Sequence, residues 1–211
     1  MGEISGAAVL KPGSLRPPGE RVGKYVGDAH AGIAALLKTT PFGDVWDAYT
    51  QVYGYVVPTA ELIERLLVLS PLVDFGCGNG YLSYLLRSAG ADVLAIDSEP
   101  PDQSPMNKYF QKQHVWTKLY RGDEEALDLC SKRTLLIAWP PPEPDEMASS
   151  AIRCYKGSTV VLIGDERNCG GAAMRDALHQ RFSMVEKFGL PVFTPTTLAW
   201  SSDAVQIYGK S

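Results

Sequence analysis

The sequence predicts an α/β protein: a mostly parallel β-sheet covered by helices on both faces, with its last strand running antiparallel. Three observations carry that prediction. Between residues 71 and 182, short apolar runs of strand type alternate with helix-length segments, the pattern of repeated βα units. The first run empties into a glycine-rich turn, Asp74-Phe75-Gly76-Cys77-Gly78-Asn79-Gly80, which leads directly into a helical segment. Two strand-like runs, 184–188 and 204–208, then close the chain with no helix between them, and strands joined by a loop pair antiparallel.

Taken in order, residues 1–40 form an irregular arm punctuated by Pro12-Gly13, Pro17-Pro18-Gly19, Gly23, Gly27 and Gly32, with one short helix expected over 29–37. The arm reads as a partly ordered extension, or alternatively as a lid or the arm of a homodimer. The domain proper is expected over 41–211. Residues 42–55 are rich in aromatic side chains, and Trp46, Tyr49 and Tyr53 fall at helical spacing, which more often marks a packed face than a binding box. Pro58-Thr59 opens a helix over 60–69 with Leu62, Ile63, Leu66 and Leu67 along one face. Strands follow at 71–75, 92–97, 115–120, 134–139 and 158–164. Helices are expected at 81–89, 124–130, 145–154 and 171–182.

Composition narrows the function classes. A chain of 211 residues with 45% hydrophobic and 21% charged residues suits one soluble domain with a sizeable core. Net charge is -4 and the pI about 5.4, so no global positive field draws in nucleic acid, which is not favoured as a partner. Cys77, Cys130, Cys154 and Cys169 are scattered, and His30, His114 and His179 make no ligand spacing with them. No metal site is therefore expected, and the thiols fit a reducing compartment. No run approaches the roughly 18 apolar residues that span a bilayer. Met1-Gly2 lacks the Ser or Thr of a myristoylation signal, since Gly6 stands there. A cytoplasmic protein without a membrane anchor is the expectation.

The glycine-rich turn carries the most chemistry. Gly76 permits the sharp turn, Gly78 lets a ligand lie against bare backbone, and Gly80 lets helix and strand pack closely. A dinucleotide site spaces its glycines G-x-G-x-x-G and sets pyrophosphate on the helix N-terminus. Here the third glycine comes one residue early, and Asp74 stands at the strand end. A carboxylate there repels pyrophosphate but suits a cofactor bearing an ammonium and a sulfonium. A second acid, Asp97, ends the next strand 17 residues beyond Gly80, near the offset at which an acid accepts ribose hydroxyls.

At this point the residues carry a family resemblance. The stretch Val73 to Tyr81 resembles motif I of the class I S-adenosylmethionine-dependent methyltransferases, and Ala95-Ile96-Asp97 resembles their second motif. The wider pattern is similar to a poorly characterised set of methyltransferase-like proteins, through Tyr53-Gly54-Tyr55-Val56-Val57-Pro58-Thr59, Ala138-Trp139-Pro140-Pro141, and Gly164-Asp165-Glu166 through Gly170-Gly171. It covers about residues 45 to 208. The resemblance implies a Rossmann-like class I methyltransferase fold of seven strands, with S-adenosyl-L-methionine across the strand ends at Asp74, Gly76, Cys77, Gly78, Asn79, Gly80 and Asp97.

It also implies the rest of the pocket. A polar residue after the third strand contacts the adenine in such folds, which points to Asp123, with Glu124 as the alternative; a helix N-cap explains both acids equally well. The methyl acceptor sits at the end of the fourth strand, where amine-methylating relatives place Asp/Asn-Pro-Pro-Tyr/Phe. Here Trp139 takes the polar position and Pro142 the aromatic one, which argues against amine methylation. Trp139 either stacks on a flat substrate, covers the sulfonium, or packs. Trp139 and Pro140 are the acceptor-side candidates, with Asp165 and Glu166 on the rim as bases and His114 a weaker third. Tyr53 and Tyr55 line the methionine end or the acceptor cavity. The expected activity is methyl transfer to an unidentified acceptor, preferably a small molecule; a silent cofactor-binding scaffold is the alternative, and an NAD(P)-dependent oxidoreductase a distant third.

Overall fold

A computed structural model describes residues 49–105, 107–110, 114–142, 146–190 and 203–211. The N-terminal arm, its expected helix over 29–37, Phe42, Trp46 and His30 lie outside the described residues.

Residues 49–53 are helical and lead into α1 (Ala60–Val68), where Thr59 accepts the Leu62 amide at 3.1 Å and so satisfies one orphan donor of the first turn. β1 (Leu72–Phe75) then feeds α2 (Tyr81–Ala89) and β2 (Val93–Asp97). A long connection reaches β3 (Tyr120–Arg121) and a 3₁₀ helix (Glu124–Cys130). β4 (Thr134–Ala138), α3 (Met147–Cys154), β5 (Thr159–Asp165) and α4 (Ala172–His179) continue the alternation, and β6 (Phe182–Gly189) and β7 (Asp203–Lys210) end it.

The seven strands form one sheet in the order β3-β2-β1-β4-β5-β7-β6, parallel throughout except for β7, which is antiparallel to both β5 and β6. Successive strand residues serve opposite faces. Leu72, Leu136 and Val161 join the core under α1 and α2, whereas Val73, Leu135 and Val160 join the core under the 3₁₀ helix, α3 and α4. Burial on both faces explains why these strands read as continuous apolar runs in the sequence.

Two departures from the sequence expectation matter most here. The third strand shrinks from 115–120 to two residues because its backbone is engaged elsewhere: the Trp116 amide donates to Asn79, and the Lys118 carbonyl accepts Arg87. The helix expected over 171–182 ends at His179, and Phe182 begins β6 as a buried residue.

Candidate functional site

The order of strands fixes where a ligand can lie. From β1 the chain moves outward to β2 and β3, then returns to β4 on the other side of β1. The crevice beyond the carboxyl ends of β1 and β4 is therefore the switch point of the sheet, where open α/β sheets place their ligands. A cavity of about 600 Å³ opens there, and its walls include Gly76, Cys77 and Gly78 from one side and Trp139 and Pro140 from the other.

Asp74 is 2% exposed at the end of β1 and lines this cavity. Its Oδ2 accepts Ser83 Oγ of α2 at 2.6 Å, and its Oδ1 is buried with no hydrogen-bond partner among the described residues. Burial pushes the carboxyl up to about 6; Ser83 pulls it down, Asp97 pushes it up and Arg87 pulls it down. A buried carboxylate oxygen without a donor is costly unless a cation or donor meets it.

Asp97 closes β2 with both oxygens engaged: Oδ2 accepts the Gly78 amide at 2.8 Å and Oδ1 the Glu99 amide at 2.9 Å. Burial raises its pKa, and the two backbone donors oppose that rise. It lines the cavity, and each oxygen keeps a second lone pair. Gly78 sits at φ +57°, and a Cβ there would lie 2.4 Å from Cε2 of Phe110. Gly80 caps α2 at φ +75° and is not part of the wall; a Cβ there would lie 2.6 Å from Leu119, so this glycine permits packing of the segment before β3.

Cys77 lines the cavity inside the turn. Burial pushes its thiol well above the ordinary value and the charges of Asp74 and Asp97 push the same way, which disfavours the thiolate. Asn79 also lines the cavity, but its side chain is structural: Nδ2 donates to the Val52 carbonyl and Oδ1 accepts the Tyr81 amide. Tyr53 and Tyr55 reach the wall from the segment before α1. Tyr55 stacks on Trp139 with centroids 5.9 Å apart and meets Phe110 edge-on at 6.0 Å.

Besides Gly80, five expected site residues do not line this cavity: Asp123, Glu124, Asp165, Glu166 and His114. Asp123 caps the 3₁₀ helix by accepting the Glu125 amide at 3.2 Å, and Glu124 begins that helix. Asp165 and Glu166 line a second cavity of about 450 Å³ between α4 and the β5–β7–β6 edge. There Asp165 accepts the Arg167 amide at 2.7 Å, while Glu166 holds Lys187 and Gln206. Among the described residues, only Pro140 borders both cavities. His114 packs edge-on against Trp116 at 5.2 Å, outside both cavity walls.

Sequence reasoning missed the connection between β2 and β3. Ser98, Glu99, Asn107 and Phe110 line the cavity in its stead. Asn107 organises the segment: Oδ1 accepts the Tyr109 and Phe110 amides, and Nδ2 donates to the Glu99 carbonyl. The run Asn107-Lys108-Tyr109-Phe110 was the available signal, a polar and aromatic cluster in a connection too long for a plain loop.

No model of a protein family matches this chain. Part of it is similar to a malonyl-[acyl-carrier protein] O-methyltransferase of Pectobacterium atrosepticum, 38% identical over 72 residues, which is 31% of this chain. The match spans about a quarter (27%) of that relative's length. Among solved structures, magnesium protoporphyrin IX methyltransferase from Synechocystis PCC 6803 with bound SAH aligns over 92% of this chain and all of its own, at 15% identity and TM-score 0.48. TehB from Haemophilus influenzae aligns over 79% of this chain and 67% of its own, at 14% identity and TM-score 0.45. Among the described residues no helix is long and apolar enough to cross a membrane, and no cluster of His, Cys, Asp and Glu could hold a metal ion.

Proposed function

We propose that this protein, which has the Rossmann-like fold of the class I methyltransferases, binds S-adenosyl-L-methionine at the β1–β4 crevice and transfers its methyl group to a small organic acceptor. The observation that carries this reading is Asp74: a buried carboxylate oxygen without a donor, lining the cavity beside the glycine turn. The ammonium of the cofactor's methionine end supplies the missing donors and the compensating charge. The acid at Asp97 suits the ribose hydroxyls, because its oxygens have lone pairs left after bracing the turn. Two carboxylates at this wall, with Glu99 beside them, oppose a pyrophosphate and so disfavour a dinucleotide.

When bound, the cofactor supplies a methyl group already activated by the sulfonium, so the protein's work is positioning and exclusion of water. Gly76, Cys77 and Gly78 offer backbone against which the ligand lies, while Ser98, Asn107 and Phe110 bound the end near β2. Asp123 and Glu124 are thereby released from the adenine role that their place after β3 suggests. Trp139, Pro140 and Tyr55 wall the β4 side, where the acceptor approaches. Asp165 and Glu166 belong to the second cavity, and their hydrogen bonds and ion pair support a structural part rather than that of a general base. The reading therefore asks for an acceptor whose nucleophilic atom needs no base from these two acids. A net charge of -4 favours a small molecule over RNA.

The test is transfer from methyl-tritiated S-adenosylmethionine into cell extract separated into small-molecule, protein and RNA fractions. Label in the small-molecule fraction is expected. Label in protein or RNA moves the acceptor to that class, and binding without label in any fraction makes the protein a cofactor-binding scaffold.

A further inference from the structure

Trp139 departs from ordinary backbone geometry and is held at three points. It follows β4 with φ at +49°, a left-handed conformation that a bulky residue adopts only when its surroundings enforce it. Its amide donates to the Ile163 carbonyl at 2.7 Å, its ring stacks on Tyr55 at 28°, and its indole Nε1 donates to Asp203 Oδ2 at 3.1 Å. Asp203 is 7% exposed on β7, directly across from Asp165 of β5, and the antiparallel pair of strands fixes its place. A buried carboxylate at the indole N–H fixes the ring plane and also pushes electron density onto the ring face. The face so enriched belongs to a residue lining the same cavity as Asp74 and Gly76.

We propose that Asp203 is a positioning residue for Trp139, and that the indole it orients makes the cavity prefer a sulfonium to a neutral thioether. This rests on the cofactor reading above. β4 lies beside β1, with Leu136 in register with Asp74, so Trp139 stands across the crevice from the Asp74–Gly76 turn. An ammonium held at Asp74 would leave the sulfonium only three carbons away, within a cavity that Trp139 lines. A cation over an indole face is stabilised by the ring's quadrupole, more so once water is excluded. The arrangement favours the substrate form of the cofactor over S-adenosylhomocysteine, its product, and so eases product release.

The experiment measures the dissociation constants of S-adenosylmethionine and S-adenosylhomocysteine by calorimetry, for the full chain and for the variants Trp139→Phe and Asp203→Asn. Trp139→Phe keeps a ring but cannot donate to Asp203; Asp203→Asn keeps an acceptor for the indole but removes the charge. The ratio of the two constants is expected to shift toward the thioether by roughly 3- to 30-fold in each variant. Since a purely structural role lowers both affinities alike, an unchanged ratio in the folded variants overturns the proposal. Should Asp203→Asn fail to fold, Trp139→Phe decides alone. If neither ligand binds the unmodified protein, the cofactor reading itself has failed, a distinct outcome from equal ratios.

Discussion

Asp97 Oδ2 accepts the amide of Gly78 at 2.8 Å, so the acid at the end of β2 braces the glycine turn at the end of β1. The sequence assigns this acid to a ligand, and the structure gives it a second employment. Its other oxygen holds the Glu99 amide, at the start of the connection that covers the cavity. Hydrogen bonds to a charged acceptor are stronger than neutral ones.

Asp97→Ala is therefore expected to lower stability by about 2–4 kcal/mol even without ligand, since two backbone amides lose an ionised partner. Urea unfolding measures it. A loss under about 0.5 kcal/mol, the range of an ordinary surface substitution, sinks the bracing role.

The contact between Gly78 and Phe110 predicts a coupling. Gly78→Ala must hold φ near +57° with a side chain and must push back the Phe110 ring, whose Cε2 would stand 2.4 Å from the new carbon. The backbone cost is about 1 kcal/mol and the overpacking about 1–3 kcal/mol. In a Phe110→Ala background only the backbone part remains. A double-mutant cycle by urea unfolding should therefore return a coupling of about 1 kcal/mol or more, and strict additivity contradicts the contact.

Much of this arrangement is legible in the sequence. The turn from Asp74 to Gly80 announces itself because glycine spacing and an acid at a strand end are local chemistry. The helix over 81–89 is bounded as expected, since Gly80 and Gly90 both take left-handed conformations that close it at either end. The connection from Ser98 to Phe110 was not legible, because its order comes from Asn107 gathering the backbone of residues 99, 109 and 110, a pattern with no periodicity. That Asp165 and Glu166 line the second cavity was not legible for a related reason. Their place after β5 is right for a rim residue, but whether a side chain turns toward one cavity or the next depends on partners such as Gln206, 40 positions away.

The burial of Asp74 predicts opposite pH dependences for stability and for binding. Its carboxyl titrates at about 6 in the folded chain against an ordinary 3.8. The folded state thus binds this proton more tightly than the unfolded state, and the contribution of this group to stability falls as pH rises from about 4 to about 6. Binding of an ammonium needs the ionised form. Affinity for S-adenosylhomocysteine should therefore weaken as pH falls below about 6, by up to tenfold per unit. Calorimetry between pH 5 and 8 reads this dependence, and Asp74→Asn should flatten it. A profile that stays unchanged in Asp74→Asn assigns the titration to another group.

That same substitution predicts a trade between function and stability. Asparagine keeps an acceptor for Ser83 and removes a buried charge, so the ligand-free variant should be more stable by about 1–2 kcal/mol at pH 7.5. Thermal unfolding of the two proteins side by side measures this, and a variant less stable than the parent contradicts the cost assigned to the buried carboxylate.

The cofactor assignment itself is tested most directly by titrating S-adenosylhomocysteine into the unmodified protein and into Asp74→Ala at pH 7.5. The account predicts saturable one-to-one binding to the first, and binding weaker by roughly 30-fold or more to the folded variant. No binding to the unmodified protein, or equal affinity in the two, contradicts it.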